Sequence, residues 1–209
     1  MIGSSELMNA FKVLRCRLFG RTDVDRWQDL NRHDASWEER ARLIAGVVEP
    51  RSRVIEFGAG SRKLEAYLDP ACTYTPADLV ERGPGTLVCD LNARPLPDLG
   101  DVHPDVAVFA GVLEYLVDLP AIPHWLARHV TTCIASYECA KSPTRTMKRI
   151  RESIARAGIG WVNTYSHDEL HALFASAGFT CVQTLIWQHP DGAEPIFVFR
   201  QEKGKEKVE

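Results

Sequence analysis

The sequence lacks the features of a membrane-spanning, secreted or metal-binding chain. Its 209 residues contain no apolar run of the roughly 18 residues that a spanning helix needs, and the start carries no signal-peptide core. The six cysteines form no Cys-x-x-Cys pair, which favours reduced thiols and gives no metal site. A formal net charge of −3 gives no support to nucleic-acid binding. We therefore expect a cytoplasmic protein without a transmembrane segment, a bound metal or a nucleic-acid partner.

Residues 53–68 predict a strand, a glycine turn and a helix. Residues 54–57 form a short apolar run that is typical of a buried parallel strand. Gly58 and Gly60 then allow the backbone to turn tightly, close to a ligand. The helix that follows would have an apolar face formed by Leu64, Tyr67 and Leu68. For such a turn taken alone, a tight connection without a ligand remains the alternative.

Three acidic residues follow one another at the ends of predicted strands. Glu56 ends the first strand, Asp78 lies near the end of the second, and Asp90 ends the third. A carboxylate at the end of an apolar strand is costly to bury unless it has a partner. Because open α/β folds bind ligands at the carboxyl edge of their parallel strands, the three acids predict a binding site at that edge.

The remaining pattern alternates strands with helices and predicts an α/β fold. We expect a doubly wound, mostly parallel seven-stranded sheet with helices on both faces and a C-terminal antiparallel hairpin. Capping boxes are predicted at Ser36 with Glu39 and at Ser166 with Glu169, and Gly178 is expected to end the second of these helices. The predicted strands span 54–57, 72–75, 86–89, 106–109, 131–137, 179–187 and 195–200.

The N-terminal 49 residues are predicted to be helical and to cover this domain. Residues 5–20 form an amphipathic helix, and we expect its apolar face to pack on the chain's own domain; contact with a membrane surface or a partner protein is the alternative. That face carries Leu7, Phe11, Leu14 and Leu18. Residues 23–49 form a second helical stretch with a break near 31–34. Trp27 and Trp37 in this stretch are expected in core or surface positions, with a pocket lining as the alternative. The domain proper spans 50–200, and the charged tail 201–209 is expected to be disordered.

Four motifs together resemble class I methyltransferases that depend on S-adenosylmethionine (SAM). The segment Glu-Phe-Gly-Ala-Gly-Ser at 56–61 is similar to the first motif of that family, an acid followed by Gly-x-Gly. Asp78 matches the ribose-binding acid, and Cys-Asp-Leu-Asn at 89–92 matches the adenine-binding motif. Residues 105–116 resemble the fourth strand and its following turn. The resemblance covers about residues 50 to 200, and Arg62 stands where a third glycine is often found.

The resemblance implies SAM as the methyl donor and assigns roles to the motif residues. It places Glu56 near the methionine amino group and Asp78, followed by Leu79, at the ribose hydroxyls. Asp90 and the amide of Leu91 would meet the adenine. The backbone amides of Gly58, Ala59 and Gly60 would lie along the cofactor. The small residues Ala110 and Gly111 would lie beside the sulfonium.

The catalytic base and the acceptor are less clearly indicated by the sequence. Glu114 and Tyr137 are the candidate bases, since both follow strand ends that face the cofactor; a helix cap and a pocket wall are the respective alternatives. His167 is a weaker candidate at a loop-to-helix boundary. The basic segment 141–157 predicts a solvated helix face, with a site for an anionic group of the acceptor as the alternative.

Two functional hypotheses follow. The first is a SAM-dependent methyltransferase acting on oxygen or nitrogen of a small-molecule acceptor, anionic or glycan-type. The second is a non-catalytic SAM-binding regulatory or partner-dependent module of the same fold, since the motif order is also loosely similar to MetW-like proteins of methionine biosynthesis. A dinucleotide-dependent oxidoreductase is disfavoured because Lys63 replaces the third glycine of its fingerprint.

Overall fold

The computed structural model describes residues 4–19, 22, 24, 36–190 and 192–201. Its centre is a seven-stranded sheet in the order β3-β2-β1-β4-β5-β7-β6, in which β1 to β5 run parallel. The last two strands form an antiparallel hairpin, and β7 pairs antiparallel with β5. The predicted fold is therefore confirmed. The strands are β1 Arg53–Phe57, β2 Thr73–Asp78, β3 Leu87–Val88, β4 Val106–Ala110, β5 Thr132–Ser136, β6 Phe179–His189 and β7 Gly192–Gln201.

Five α-helices are described, and they cover both faces of the sheet. Helices α3 and α5 contribute buried residues to the core on the face that carries Phe57 and Phe109. Helix α2 contributes Ile44 to the core on the opposite face, against Val54 and Val108. Because the central strand β4 buries both of its faces, its sequence Val-Ala-Val-Phe-Ala is continuously apolar and does not alternate. The helices are α1 Ser4–Phe19, α2 Trp37–Ala45, α3 Ala121–Leu126, α4 Met147–Gly158 and α5 His167–Ala175.

The two predicted capping boxes have different outcomes. At the start of α5, the Ser166 side chain accepts from the Glu169 amide, and the Glu169 carboxylate accepts from the Ser166 amide at 2.7 Å. Gly178 then has a φ of +85°, as a left-handed cap requires. The prediction of a capping box at α2 is wrong. Ser36 has helical backbone angles, a φ of −63° and a ψ of −19°, and its side chain makes no capping hydrogen bond.

The helix predicted after the glycine turn is much shorter than expected. It is a single turn of 3-10 helix, Leu64–Tyr67. Arg62, just before it, has a left-handed φ of +56°, and Leu68, just after it, is extended. Pro70 disfavours helical backbone at the residue before it. No helix long enough to present a strong dipole therefore follows the turn.

Helix α1 packs on the domain, as predicted, but through the opposite face. Val13 is buried against Ala157 of α4 and against Val162, while Phe11 and Leu18 are 64% and 69% exposed. The side chain of Leu7, the break near 31–34, Trp27, and residues 202–209 lie outside what the structure describes. Among the described helices, none is both long and apolar enough to cross a lipid bilayer.

Candidate active site

A cleft of about 600 Å³ opens at the carboxyl edge of β1, β2 and β4. All ten residues predicted to bind the cofactor line it, and so does Glu114. These residues are far apart in sequence and meet here because parallel strands bring their carboxyl ends to one edge. The ten are Glu56, Gly58, Ala59, Gly60, Asp78, Leu79, Asp90, Leu91, Ala110 and Gly111.

The glycine turn after β1 forms one wall of the cleft. Gly58 has a φ of +70°, and a Cβ atom there would lie 2.5 Å from Cγ2 of Val112. The amides of Gly58 and Ala59 donate to the carbonyl of Ala77 at 2.8 and 3.1 Å, which ties the turn to the end of β2. Only glycine fits at position 58 without displacing its neighbour.

Asp78 is held firmly at the end of β2. Its Oδ2 accepts from the amide of Gly60 at 2.8 Å, and its Oδ1 accepts from the amide of Leu79 at 2.7 Å. The Nε atom of Arg82 lies 3.3 Å from Oδ2, and both side chains are only 5% exposed. Arg82 was not predicted from the sequence; it lies in the loop after β2, where no helical spacing relates it to Asp78.

Asp90 has an unexpected partner from the N-terminal segment. Its Oδ1 accepts from the hydroxyl of Thr22 at 2.6 Å and from the amide of Asn92 at 2.8 Å. The side-chain amide of Asn92 donates to the same hydroxyl at 2.9 Å. Thr22 therefore lies at the edge of the cleft where the sequence places the adenine, and nothing in the local sequence indicated that contact.

Glu56 is a buried acid with a strongly raised pKa. Glu56 is 5% exposed, and this burial raises its pKa to about 8. Two neighbours lower the pKa: the Tyr74 hydroxyl, which donates a hydrogen bond to the carboxyl group at 2.5 Å, and the charge of Arg40. Desolvation disfavours the charged form of a carboxyl group more than these partners favour it. In this cleft, Glu56 is therefore mostly protonated at neutral pH.

Glu114 is buried even more completely, at the opposite wall. It is 2% exposed, and its Oε1 accepts from the amide of Glu138 at 2.9 Å. Within the described structure its Oε2 has no hydrogen-bond partner. Burial, with a further contribution from the nearby charge of Glu194, raises the pKa of Glu114 to about 7.

Tyr137, the other candidate base, does not line the cleft. It is fully buried, and its hydroxyl donates to Oδ1 of Asn163 at 2.7 Å while accepting from the amide of Tyr165 at 2.9 Å. Asn163 also donates to the carbonyls of Leu113 and Leu116 at 2.6 and 3.0 Å. The contacts of Tyr137 thus connect structural segments, and its pKa is raised by burial.

The basic segment also lies away from the cleft. No residue from 141 to 157 lines it. Arg149 is buried and donates to the carbonyls of Ser142 and Thr164 at 2.8 and 3.0 Å, and it forms an ion pair with Glu169. Arg149 therefore ties α4 to its surroundings, and none of the cations of this segment lines the cleft to hold an anionic acceptor.

Aromatic side chains line the part of the cleft beyond Gly111. The guanidinium of Arg40 lies between two of them, 5.3 Å from the ring centre of Trp37 and 4.9 Å from that of Trp187. Arg40 was not singled out from the sequence, although it shares a helix face with the apolar Trp37 and Ile44. The aromatic residues are Trp37, Tyr115, Trp161 and Trp187.

Comparisons with known proteins agree with this geometry. A family model described as a methyltransferase domain matches residues 30–184. A search of curated proteins found no match. Among solved structures, the chain is similar to 1,6-didemethyltoxoflavin-N1-methyltransferase from Burkholderia thailandensis. That structure contains 1,6-didemethyltoxoflavin and S-adenosylhomocysteine (SAH). The two sequences are 18% identical, the TM-score is 0.61, and the match covers 91% of this chain and 88% of that one.

Two further structures share the fold. Magnesium protoporphyrin IX methyltransferase from Synechocystis, with SAM bound, is 15% identical with a TM-score of 0.58, and the match covers 93% of this chain and 97% of that one. Mitomycin 7-O-methyltransferase is 15% identical with a TM-score of 0.61, covering 96% of this chain and 69% of that one.

Proposed function

This chain belongs to the methyltransferase-domain family, and on that premise we propose that it transfers a methyl group from SAM to an oxygen or nitrogen atom of a small-molecule acceptor. The observation that carries the proposal is that Glu56, Asp78 and Asp90, at or just beyond the ends of three neighbouring strands, line one cleft. Structures of the same fold hold SAM or SAH. The class I methyltransferase resemblance of the sequence supports the same cofactor.

The chemical groups that line the cleft fit SAM. Gly58 and Gly60 line the cleft without a side chain, so a ligand can approach the main chain closely there. The carboxylate of Asp78 suits the two ribose hydroxyls, and the carboxyl group of Glu56 suits an ammonium group. Leu91, which is 7% exposed, offers apolar surface beside Asp90 for the adenine ring.

The aromatic lining supports a planar acceptor. Trp37, Tyr115, Trp161 and Trp187 surround the end of the cleft that the proposed cofactor residues leave open. Trp161 is fixed by a hydrogen bond of 3.0 Å from its Nε1 to the Tyr115 hydroxyl. Two neighbours of the same fold act on planar ring systems, 1,6-didemethyltoxoflavin and magnesium protoporphyrin IX. We therefore favour a planar heterocyclic or aromatic acceptor over an anionic sugar-like one.

Glu114 is the group we propose as proton acceptor. When bound, the cofactor supplies an electrophilic methyl group; the chain has to align the acceptor atom and take up its proton. Glu114 lines the cleft and its Oε2 has no hydrogen-bond partner among the described residues. Its raised pKa, about 7, suits proton uptake near neutral pH. Glu114→Gln should lower kcat by about a hundredfold or more and leave SAH affinity little changed.

The test begins with calorimetric titration of SAM and SAH into the wild type and Asp78→Asn. We expect roughly micromolar binding that falls by about tenfold or more in the variant, because an amide accepts fewer hydrogen bonds than a carboxylate. Asp69→Asn, at an exposed residue outside the cleft lining, is the matched control and should bind like the wild type. A wild type that binds neither compound would refute the proposed cofactor.

A screen of planar hydroxyl and amine compounds with methyl-labelled SAM then tests for turnover. Methylation that Glu114→Gln abolishes would support the proposed reaction. SAM binding with no methylation of any acceptor would instead support the second hypothesis, a non-catalytic SAM-binding regulatory or partner-dependent module.

A further inference from the structure

A second group of chemically active side chains lies at the acceptor end of the cleft. Glu138 follows β5, His189 ends β6, and Glu194 lies near the start of β7. One ligand atom from each of the three lies within 4.8 Å of the other two. All three residues line the cleft. The two chain segments meet because β7 pairs with β5, so the loop end of the hairpin stands beside the carboxyl end of β5.

Two of these groups are buried without a hydrogen bond. Nε2 of His189 and Oε1 of Glu194 are inaccessible to solvent, and neither has a hydrogen-bond partner in the described structure. Glu194 is only 7% exposed. The imidazole of His189 stacks on Trp187, with ring centres 4.5 Å apart and an interplanar angle of 28°. A buried polar atom without a hydrogen bond is costly, and Oε1 of Glu194 has only the longer ionic contact with Arg40. These two atoms therefore indicate that the site accommodates a ligand.

The charge around the group indicates that the ligand is a cation. Arg40 lies 3.7 Å from Oε1 of Glu194, too far for a hydrogen bond, and it is the buried cation that faces this carboxylate. Glu138 and Glu194 bring two carboxylates to this group, against the one guanidinium of Arg40.

We propose that Glu138, His189 and Glu194 form a binding site for a divalent transition-metal ion such as Mn²⁺ or Zn²⁺. One imidazole nitrogen and two carboxylates suit these ions, whereas Mg²⁺ and Ca²⁺ prefer oxygen ligands alone. With three protein ligands the ion keeps open positions toward the cleft, as in catalytic metal sites. No metal site was predicted from the sequence, because it has no Cys and His residues clustered at ligand spacing.

The site also narrows the acceptor class. A metal ion at this position would hold a hydroxyl oxygen of the acceptor and lower its pKa, so that the acceptor is a hydroxyl compound. This second part rests on the proposed methyltransferase function, whereas metal binding itself does not.

The test is titration of chelator-treated full-length protein with Mn²⁺, followed by electron paramagnetic resonance, with Zn²⁺ as competitor. We expect one Mn²⁺ per chain, and a dissociation constant at least tenfold higher in His189→Gln, Glu194→Gln and Glu138→Gln. His167→Gln, at an exposed histidine beside Asp168, is the matched control and should bind like the wild type. If the wild type does not bind Mn²⁺, or if the three ligand variants bind it as the wild type does, the proposed site does not exist.

Two measurements on the same samples keep the outcomes separate. Circular dichroism melting identifies any variant that fails to fold. Because Glu138 is only half-buried, Glu138→Gln still allows Mn²⁺ binding to be measured if the more buried Glu194→Gln unfolds. SAH titration tests the cofactor site independently. SAH binding without Mn²⁺ binding would overturn the metal site and leave the methyltransferase proposal standing, whereas Mn²⁺ binding without SAH binding would do the reverse.

Discussion

Binding of the cofactor should release a proton from Glu56. This side chain is 5% exposed and its burial raises its pKa to about 8, so it is mostly neutral in the ligand-free protein at pH 7. In the proposed binding mode the ammonium group of SAM or SAH lies beside this carboxyl group and favours its charged form. At pH 6, Glu56 is ionised in about one protein molecule in a hundred. The affinity for SAM or SAH should therefore rise about tenfold per pH unit from pH 6 to pH 8 and then level off.

The same raised pKa affects the stability of the ligand-free protein. A carboxyl group that holds its proton more tightly when folded contributes stability that is fully present below its unfolded pKa of about 4.5 and is lost as the pH rises through 8. The loss amounts to at most about 5 kcal/mol, at 1.36 kcal/mol per pKa unit. The melting temperature should therefore fall between pH 5 and pH 8, and it should fall less in Glu56→Gln.

Calorimetric titration with SAH at pH 6, 7 and 8, in buffers of different ionisation enthalpy, measures both the affinity and the number of protons released. We expect about one proton per SAH at pH 6. Glu56→Gln should bind more weakly with a flatter pH dependence, while Asp69→Asn, at an exposed acid outside the cleft lining, should keep the slope. Equal affinity at pH 6 and pH 8 in the wild type, or an unchanged slope in Glu56→Gln, would refute the assignment.

Three further predictions concern the stability of the scaffold, measured by urea unfolding. Gly58→Ala should lower the free energy of unfolding by about 2–4 kcal/mol, because the backbone is left-handed there and the new methyl group meets Val112 at 2.5 Å. Asn163→Ala should cost about 3 kcal/mol, because the Tyr137 hydroxyl and two carbonyls lose their partner. Ser166→Ala should cost about 1 kcal/mol through loss of the capping box.

Matched controls separate these effects from general sensitivity. Gly85 also has a positive φ but has nothing within 4 Å of an added Cβ atom, so Gly85→Ala should cost only about 1 kcal/mol. A loss as large as that of Gly58→Ala would contradict the steric explanation. Asn9→Ala removes one part-buried bond and should cost less than Asn163→Ala. Ser176→Ala, at the other end of α5, should change stability by less than about 0.5 kcal/mol.

The sequence predicted the cofactor side of the cleft because topology alone brings it together. Glu56, Asp78 and Asp90 were each recognisable as acids at the ends of apolar strands, and parallel pairing places such ends at one edge. Their partners Thr22 and Arg82 were not predicted. These partners come from connecting segments, whose path depends on packing across the whole domain and leaves no periodic signal.

Helix α1 shows a related difficulty. Helical periodicity correctly placed Phe11, Leu14 and Leu18 on one face, but both faces of this helix carry apolar residues. The structure buries the face with Val13 and Cys16 and exposes the other. Helical periodicity predicts which side chains share a face of the helix. It does not predict which of two apolar faces packs against the neighbouring helix.

The two buried acids in the cleft change the charge of the folded protein. The formal value of −3 and the sequence isoelectric point of about 6.2 count every carboxyl group as freely ionisable. Because burial raises the pKa values of Glu56 and Glu114, the native chain at pH 7 carries less negative charge than the formal count. In native isoelectric focusing the folded protein should therefore come to rest on the alkaline side of 6.2, and in urea it should move back toward that value.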